Sequence, residues 1–300
     1  FTICHSFYGN GALIVRCCPR SKGGIPMHEE YIMDKLPPEV RADYLDRIHR
    51  FVLMDDTFMA KVFEDKKCVE LLLKIILEKD LTVEKVVSQY SINNLQGRSI
   101  RLDIYAVDSS NKHYNIEVQR DNGGAAPKRA RYNSALMDAN LILPGDDWDK
   151  LPDNYVIFIT QNDVLGGGAP VYTIERTVKQ KNNVSFEDHS HIIYVNGECR
   201  DSSAVGKLMQ DFFCTDPAKM NYNILAERAK FFKEDKEGAN NMCKIMEELR
   251  DKTAAEVTAE RNREIALKFI QLGSVPLEQI AEATGLTLDE VKKLAEKHTA

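Results

Sequence analysis

The stretch Asn154–Thr160 reads Asn-Tyr-Val-Ile-Phe-Ile-Thr and offers no polar face. A strand of that kind needs cover on both sides, which calls for a sheet held between helical layers. The residues around it supply those parts. Residues 37–51 read as a short helix with Pro38 in its first turn. Asp56 or Thr57 is expected to cap a helix running through Phe63, and Asp65 to mark either a break or a second cap. Cys68–Glu78 then carries a helical stripe of Val69, Leu72, Leu73 and Ile76, with Cys68 as a core residue. Val83–Ser91 is valine-rich and reads as a strand. Ser99–Val107 alternates: Arg101, Asp103 and Tyr105 face one way, Leu102, Ile104 and Ala106 the other. Asp108-Ser109-Ser110-Asn111 is turn chemistry, and Lys112–Arg120 is the returning strand. Pro127–Ile142 follows as an amphipathic helix before the apolar strand. The order is helix, three-stranded meander, helix, strand.

Further β segments are expected at Val171–Val178 and His191–Val195, and everything beyond about Ser203 reads as helix. Ala239–Leu272 is long and charged and ends at Gly273. Two short helices follow. In the last, Thr287 and Glu290 have the spacing of a capping box. Residues 274–298 therefore have the outline of a helix-turn-helix. Glu278, Glu282, Asp289 and Glu290 make it a poor phosphate-facing surface, so packing or partner contact competes with DNA reading there.

The meander gathers chemistry on one face. Glu117 and Gln119 are two apart on one strand, and hairpin register brings Asp103 beside them. Polar residues on the outer face of a hairpin are ordinary. Two carboxylates on a rigid sheet are also what Mg²⁺ takes, with Mn²⁺ as an alternative, alongside substrate phosphates. The helix that follows begins with Lys128, Arg129 and Arg131, which either hold a DNA phosphate or form a solvated face. His189 and His191 have no further ligands at zinc spacing, so a coincidence at a strand end is expected. Gly166-Gly167-Gly168 lacks the Gly-Lys-Ser/Thr of a phosphate loop and reads as a flexible turn.

At this point a resemblance becomes usable. Asp56-Thr57-Phe58-Met59-Ala60-Lys61-Val62-Phe63, Arg101-Leu102-Asp103 and Asn115-Ile116-Glu117-Val118-Gln119-Arg120 resemble the recombination-promoting nuclease / putative transposase family of the PD-(D/E)XK nuclease superfamily. The resemblance implies an α/β, restriction-endonuclease-like core with a helical C-terminal region. It implies a Mg²⁺-dependent endodeoxyribonuclease, with DNA as partner and Asp103 and Glu117 as metal ligands. Gln119 replaces the superfamily's usual lysine, a loss of positive charge. Asp56 becomes the acidic residue of the first helix, with Asp55 and Glu64 as rivals, and Arg131-Tyr132 matches a basic residue followed by Tyr. A nuclease fold kept only as a binding module is the competing expectation.

The expected organisation is an N-terminal extension at 1–36, disordered or foreign to the domain, a nuclease-like domain at 37–200, and the helical region at 201–300, with self-association through its helices. Residues 1–26 hold three of the seven cysteines and show no periodicity, which makes Met27 the expected start. The odd cysteine number and the lack of a CxxC pair argue against a disulfide framework or zinc ribbon and for a reducing cytoplasm. No apolar run approaches the ~20 residues a membrane span needs. The net charge of −6 leaves no general basic footprint, so any DNA affinity must come from a local basic surface.

Overall fold

The structure is a computed structural model that describes residues 31–299. A mixed six-stranded sheet lies at its centre, in the order β1 (Val83–Ile92), β2 (Ile100–Asp108), β3 (His113–Gln119), β4 (Asn154–Thr160), β8 (Ser190–Asn196) and β5 (Val171–Ile174). The short strands β6 (Thr177–Val178) and β7 (Val184–Ser185) pair separately. β1, β2 and β3 form the antiparallel meander. The helix α5 (Pro127–Leu141) then carries the chain to β4, which runs parallel to β3. Parallel neighbours need such a crossover. β8 continues in parallel on the far side of β4, and every residue of β4 is buried.

Two cores explain that burial. One face of the sheet presents Ile104, Ala106, Ile116, Val118, Ile157 and Ile159 to α2 (Pro38–Arg50), α3 (Asp56–Val62) and α4 (Lys66–Leu77), and Cys68 lies in this core. The other presents Tyr105, Val156, Phe158 and Tyr194 to Ala130, Leu136 and Met137 of α5. The turn between β2 and β3 is an Asx turn: the Asp108 carboxylate accepts the backbone N–H groups of Ser110 at 2.8 Å and Lys112 at 2.9 Å.

Several expectations are corrected. Leu102 joins Tyr105 in the α5-side core rather than Ile104 and Ala106. Around this stretch β1 carries Gln89 at a left-handed φ of 54°, and β2 leaves its ladder with β3 beyond Ile104. Asp55, not Asp56 or Thr57, is the N-cap residue of α3. The glycine run is a tied turn rather than a loose one, since Gly166 and Gly168 donate their N–H groups to Asp163.

Residues 1–30, including the expected start at Met27, lie outside the described residues. Ile32–Lys35, within the expected extension, is a helix (α1) whose Met33 is buried in the main core. The C-terminal helices also enter that core. Leu208, Met209 and Phe212 of α6 (Ala204–Phe212), Leu225, Ala229 and Phe232 of α7 (Asn223–Glu234), and Ala239 and Met242 of α8 (Lys236–Leu272) pack with α3 and α4. Residues 204–242 therefore pack into the same core as the first helical layer. Beyond them α8 runs exposed to a small satellite core of Ala266, Ile280 and Val291, shared with α9 (Leu277–Thr284) and α10 (Leu288–Thr299). Thr287 and Glu290 make the capping box, Thr287 N–H donating to the Glu290 carboxylate at 2.9 Å.

Lys233 clamps the C-terminal helices to the rest. Its buried ammonium donates to the carbonyls of His49, Phe51 and Thr215 at 3.1, 2.5 and 2.5 Å. Burial lowers its pKa to about 8. Lys233→Met fills the space but leaves three carbonyls without that donor. It should destabilise the protein by about 1–3 kcal/mol, read from the midpoint of urea unfolding.

Candidate active site

β3 places Asn115, Glu117 and Gln119 on the face beneath α5, as the two-residue period requires. The β2–β3 register pairs Ile104 with Ile116, so Asp103 stands across from Glu117. The ladder stops there because the Asp103 side chain replaces it, accepting the backbone N–H of Val118 at 3.1 Å. Asp103 and Glu117 are thus neighbours, as expected from the hairpin.

The Glu117 side chain is fully buried. Burial pushes its carboxyl up to about 8; the Asp103 charge adds to the shift and Arg129 opposes it. Asp103 is pushed up to about 6, again chiefly by burial, with the Val118 N–H opposing and the charge of Asp56 adding. A half-buried and a buried acid side by side, both pushed toward their neutral forms, make a place where a cation is favoured.

Arg129 corrects an expectation. The sequence sets it beside Lys128 and Arg131 on a phosphate path, but it turns into the site. Its Nη2 is 2.6 Å from Glu117 Oε2, and its Nη1 donates to the Gly124 carbonyl at 2.8 Å and to Gln119 Oε1 at 3.3 Å. Its guanidinium lies 5.7 Å from the centre of the Phe158 ring. Lys128 and Arg131 remain exposed at the start of α5. Gly124 allows this arrangement, because a Cβ there would run into Gln119 Oε1.

Two asparagines escaped the sequence reading. Asn133, one turn along α5 from Arg129, donates to Glu117 Oε1 at 3.4 Å. Asn115 is fully buried on the strand face of Glu117, near enough for its amide to lower that carboxyl's pKa, and its oxygen has no hydrogen-bond partner among the described residues. A period-two reading could have found Asn115, since it stands two before Glu117. Asn133 carried no signal without the phase of α5.

Asp56 is exposed in the first turn of α3, near enough for its charge to act on Asp103. Among the described residues, Asp56, Asp103 and Glu117 are not drawn together into one three-carboxylate cluster. Its rivals have other work. Asp55 accepts the Val52 N–H at 2.8 Å and pairs with Arg120 at 2.9 Å, while Glu64 pairs with Lys61 at 2.7 Å. Tyr132 donates to the Arg98 carbonyl at 2.5 Å, a packing role.

The donor set fits a hard divalent cation. It offers two carboxylates on a rigid hairpin, together with the unpartnered, buried amide oxygen of Asn115 beside them. Residues 59–199 match the sequence model described as PD-(D/E)XK nuclease family transposase. No curated protein and no solved structure matches the chain. The matched segment holds all of the sheet, α5, and the pair Asp103 and Glu117, while Asp56 lies just before it. Residues 59–199, which hold the sheet and the Asp103–Glu117 pair, carry a PD-(D/E)XK nuclease family transposase domain.

Proposed function

We propose that the protein is a divalent-metal-dependent endodeoxyribonuclease that hydrolyses phosphodiester bonds in DNA, in the service of transposition or recombination. The observation that carries this reading is the adjacent pair Asp103 and Glu117, both raised chiefly by burial, Glu117 further by the Asp103 charge and Asp103 by that of Asp56. Asp103 and Glu117 would hold Mg²⁺ or Mn²⁺. The bound ion would supply positive charge against the phosphoryl oxygens and acidify water.

The chain's own residues supply the rest. Gln119 is neutral and orients water by hydrogen bonding. Arg129 brings into the site the positive charge that Gln119 lacks. Asn133 holds the Glu117 carboxylate in its rotamer. Asp56 adds negative charge at the edge and favours the cation.

Titration calorimetry with Mn²⁺ tests the reading. The wild type should bind Mn²⁺, and Asp103→Asn should abolish that binding. Wild-type protein that binds none would overturn the assignment. A second reading, a nuclease fold kept as a binding module, draws on the Arg129–Glu117 pair, which already occupies one carboxylate oxygen. It predicts DNA binding without cleavage.

Lys128 and Arg131 should carry the salt dependence of DNA binding. With both changed to alanine, the log–log slope of affinity against salt should fall by about 2 units, one per lost phosphate contact. The measurement uses duplex DNA in Ca²⁺. An unchanged slope moves the DNA path away from α5.

A further inference from the structure

At the other end of the sheet, where β3, β4 and β8 begin, lies a second group of metal-binding side chains. His189 and His191 were expected to be a coincidence because the sequence shows no third ligand. The fold supplies one. Asp153 ends the loop into β4, and one donor atom from each of Asp153, His189 and His191 lies within 4.8 Å of the others. Asp153 and His189 are held in place by the backbone ladder, through His113 N–H to the Asp153 carbonyl at 2.9 Å and Asn154 N–H to the His189 carbonyl at 3.1 Å.

The geometry points to a transition-metal site here, with Zn²⁺ as the ion whose chemistry suits it best, separate from the Asp103–Glu117 centre. Two donors on one tetrahedral zinc, with bonds of about 2.0–2.1 Å, stand roughly 3.3 Å apart. His189 Nδ1 and Asp153 Oδ1 are 3.6 Å apart. That is too long for a hydrogen bond and close to the gap that a shared ion bridges. The other Asp153 oxygen is taken by Lys112 Nζ at 2.9 Å, which fixes the carboxylate and leaves Oδ1 for the ion.

His191 is steadied on both sides. Its ring stacks on Tyr155 with centroids 4.4 Å apart, and Glu175 Oε1 is 3.3 Å from its Nδ1. Carboxylate partners of this kind orient metal-bound imidazoles. A cavity of about 170 Å³ opens beside the group, lined by both histidines, Glu175, Glu187 and Asp188. Its carboxylates favour a cation. Two imidazoles and a carboxylate select a borderline ion such as Zn²⁺ over Mg²⁺. His189 is exposed, which leaves a coordination position for water or a further ligand. An ion here would tie the segment between β5 and β8 to the loop before β4.

The test uses the full chain, stripped with a chelator and titrated with Zn²⁺, then with Co²⁺ while its visible absorption is followed. Three variants disable the group. His189→Asn suits the left-handed backbone at φ 55°, His191→Phe keeps the stack on Tyr155, and Asp153→Asn keeps the shape. The wild type, and the double variant Asp103→Asn with Glu117→Gln, should each bind one Zn²⁺ per chain and raise the melting temperature with it. Each of the three disabling variants should lose that ion. Glu175→Gln should weaken binding by ~10–100-fold, as removal of an outer partner does. Circular dichroism checks that every variant folds. Failure of the wild type to bind Zn²⁺, or undiminished binding by a folded His191→Phe, would overturn the proposal. Loss of the ion in the Asp103/Glu117 double variant alone would assign it to the nuclease centre instead.

Discussion

Glu117→Gln should reduce the nicking of plasmid DNA by ~10²-fold or more while the protein stays folded. A group acting on charge that develops in the reaction is worth about this much when removed. The fold should tolerate the change for a reason specific to this position. Burial and Asp103 already push the Glu117 carboxyl toward its neutral form, up to about 8, so the neutral amide of the same shape removes little that the folded state relies on. The single amide oxygen can still accept from Arg129, while the NH2 faces Asn133, whose own amide can turn its oxygen to accept. A melting temperature close to wild type with nicking lost would separate chemistry from stability. Nicking at the wild-type rate would remove Glu117 from the reaction.

Arg129→Ala should lower kcat by ~10²–10³-fold, the size of effect seen when a positioned donor is lost from a site of this kind. Arg129 touches Glu117, Gln119 and the Gly124 carbonyl at once, and no lysine stands at position 119 to provide the charge instead. Arg129→Lys should recover part of the loss, because it restores the charge but not the planar fork. That partial rescue is the outcome a purely packing role would not produce. A rise in activity for Arg129→Ala would mean that the guanidinium blocks Glu117 rather than serves it.

The parts of the fold that could be read from the sequence are those governed by local periodicity. The two-residue alternation of β3 fixed the common face of Glu117 and Gln119, and the Asp108 turn fixed the register that brings Asp103 across from them. The unbroken apolar run of β4 announced a sheet covered on both sides. Arg129 could not be read in this way. Its direction depends on how α5 is rotated against the sheet, and Ala130 and Met137 packing on the Phe158 side set that rotation. Leu102 was misplaced because a period-two pattern assumes a strand paired on both sides, and β2 leaves its ladder with β3 before Leu102. Asp153 reaches His189 only through the pairing of β4 with β8, a contact between segments distant in sequence. The same holds for Lys233, whose partners at His49 and Phe51 lie in the first helical layer.

Cleavage of supercoiled plasmid DNA by the purified full chain tests the central claim most directly. The wild type is incubated with Mg²⁺, with Mn²⁺, and with a chelator, and Asp103→Asn is run beside it under each condition. The account predicts nicked or linear DNA from the wild type with either metal, and intact plasmid with the chelator and from Asp103→Asn throughout. Cleavage that survives the chelator, or that Asp103→Asn performs as well as the wild type, would contradict it.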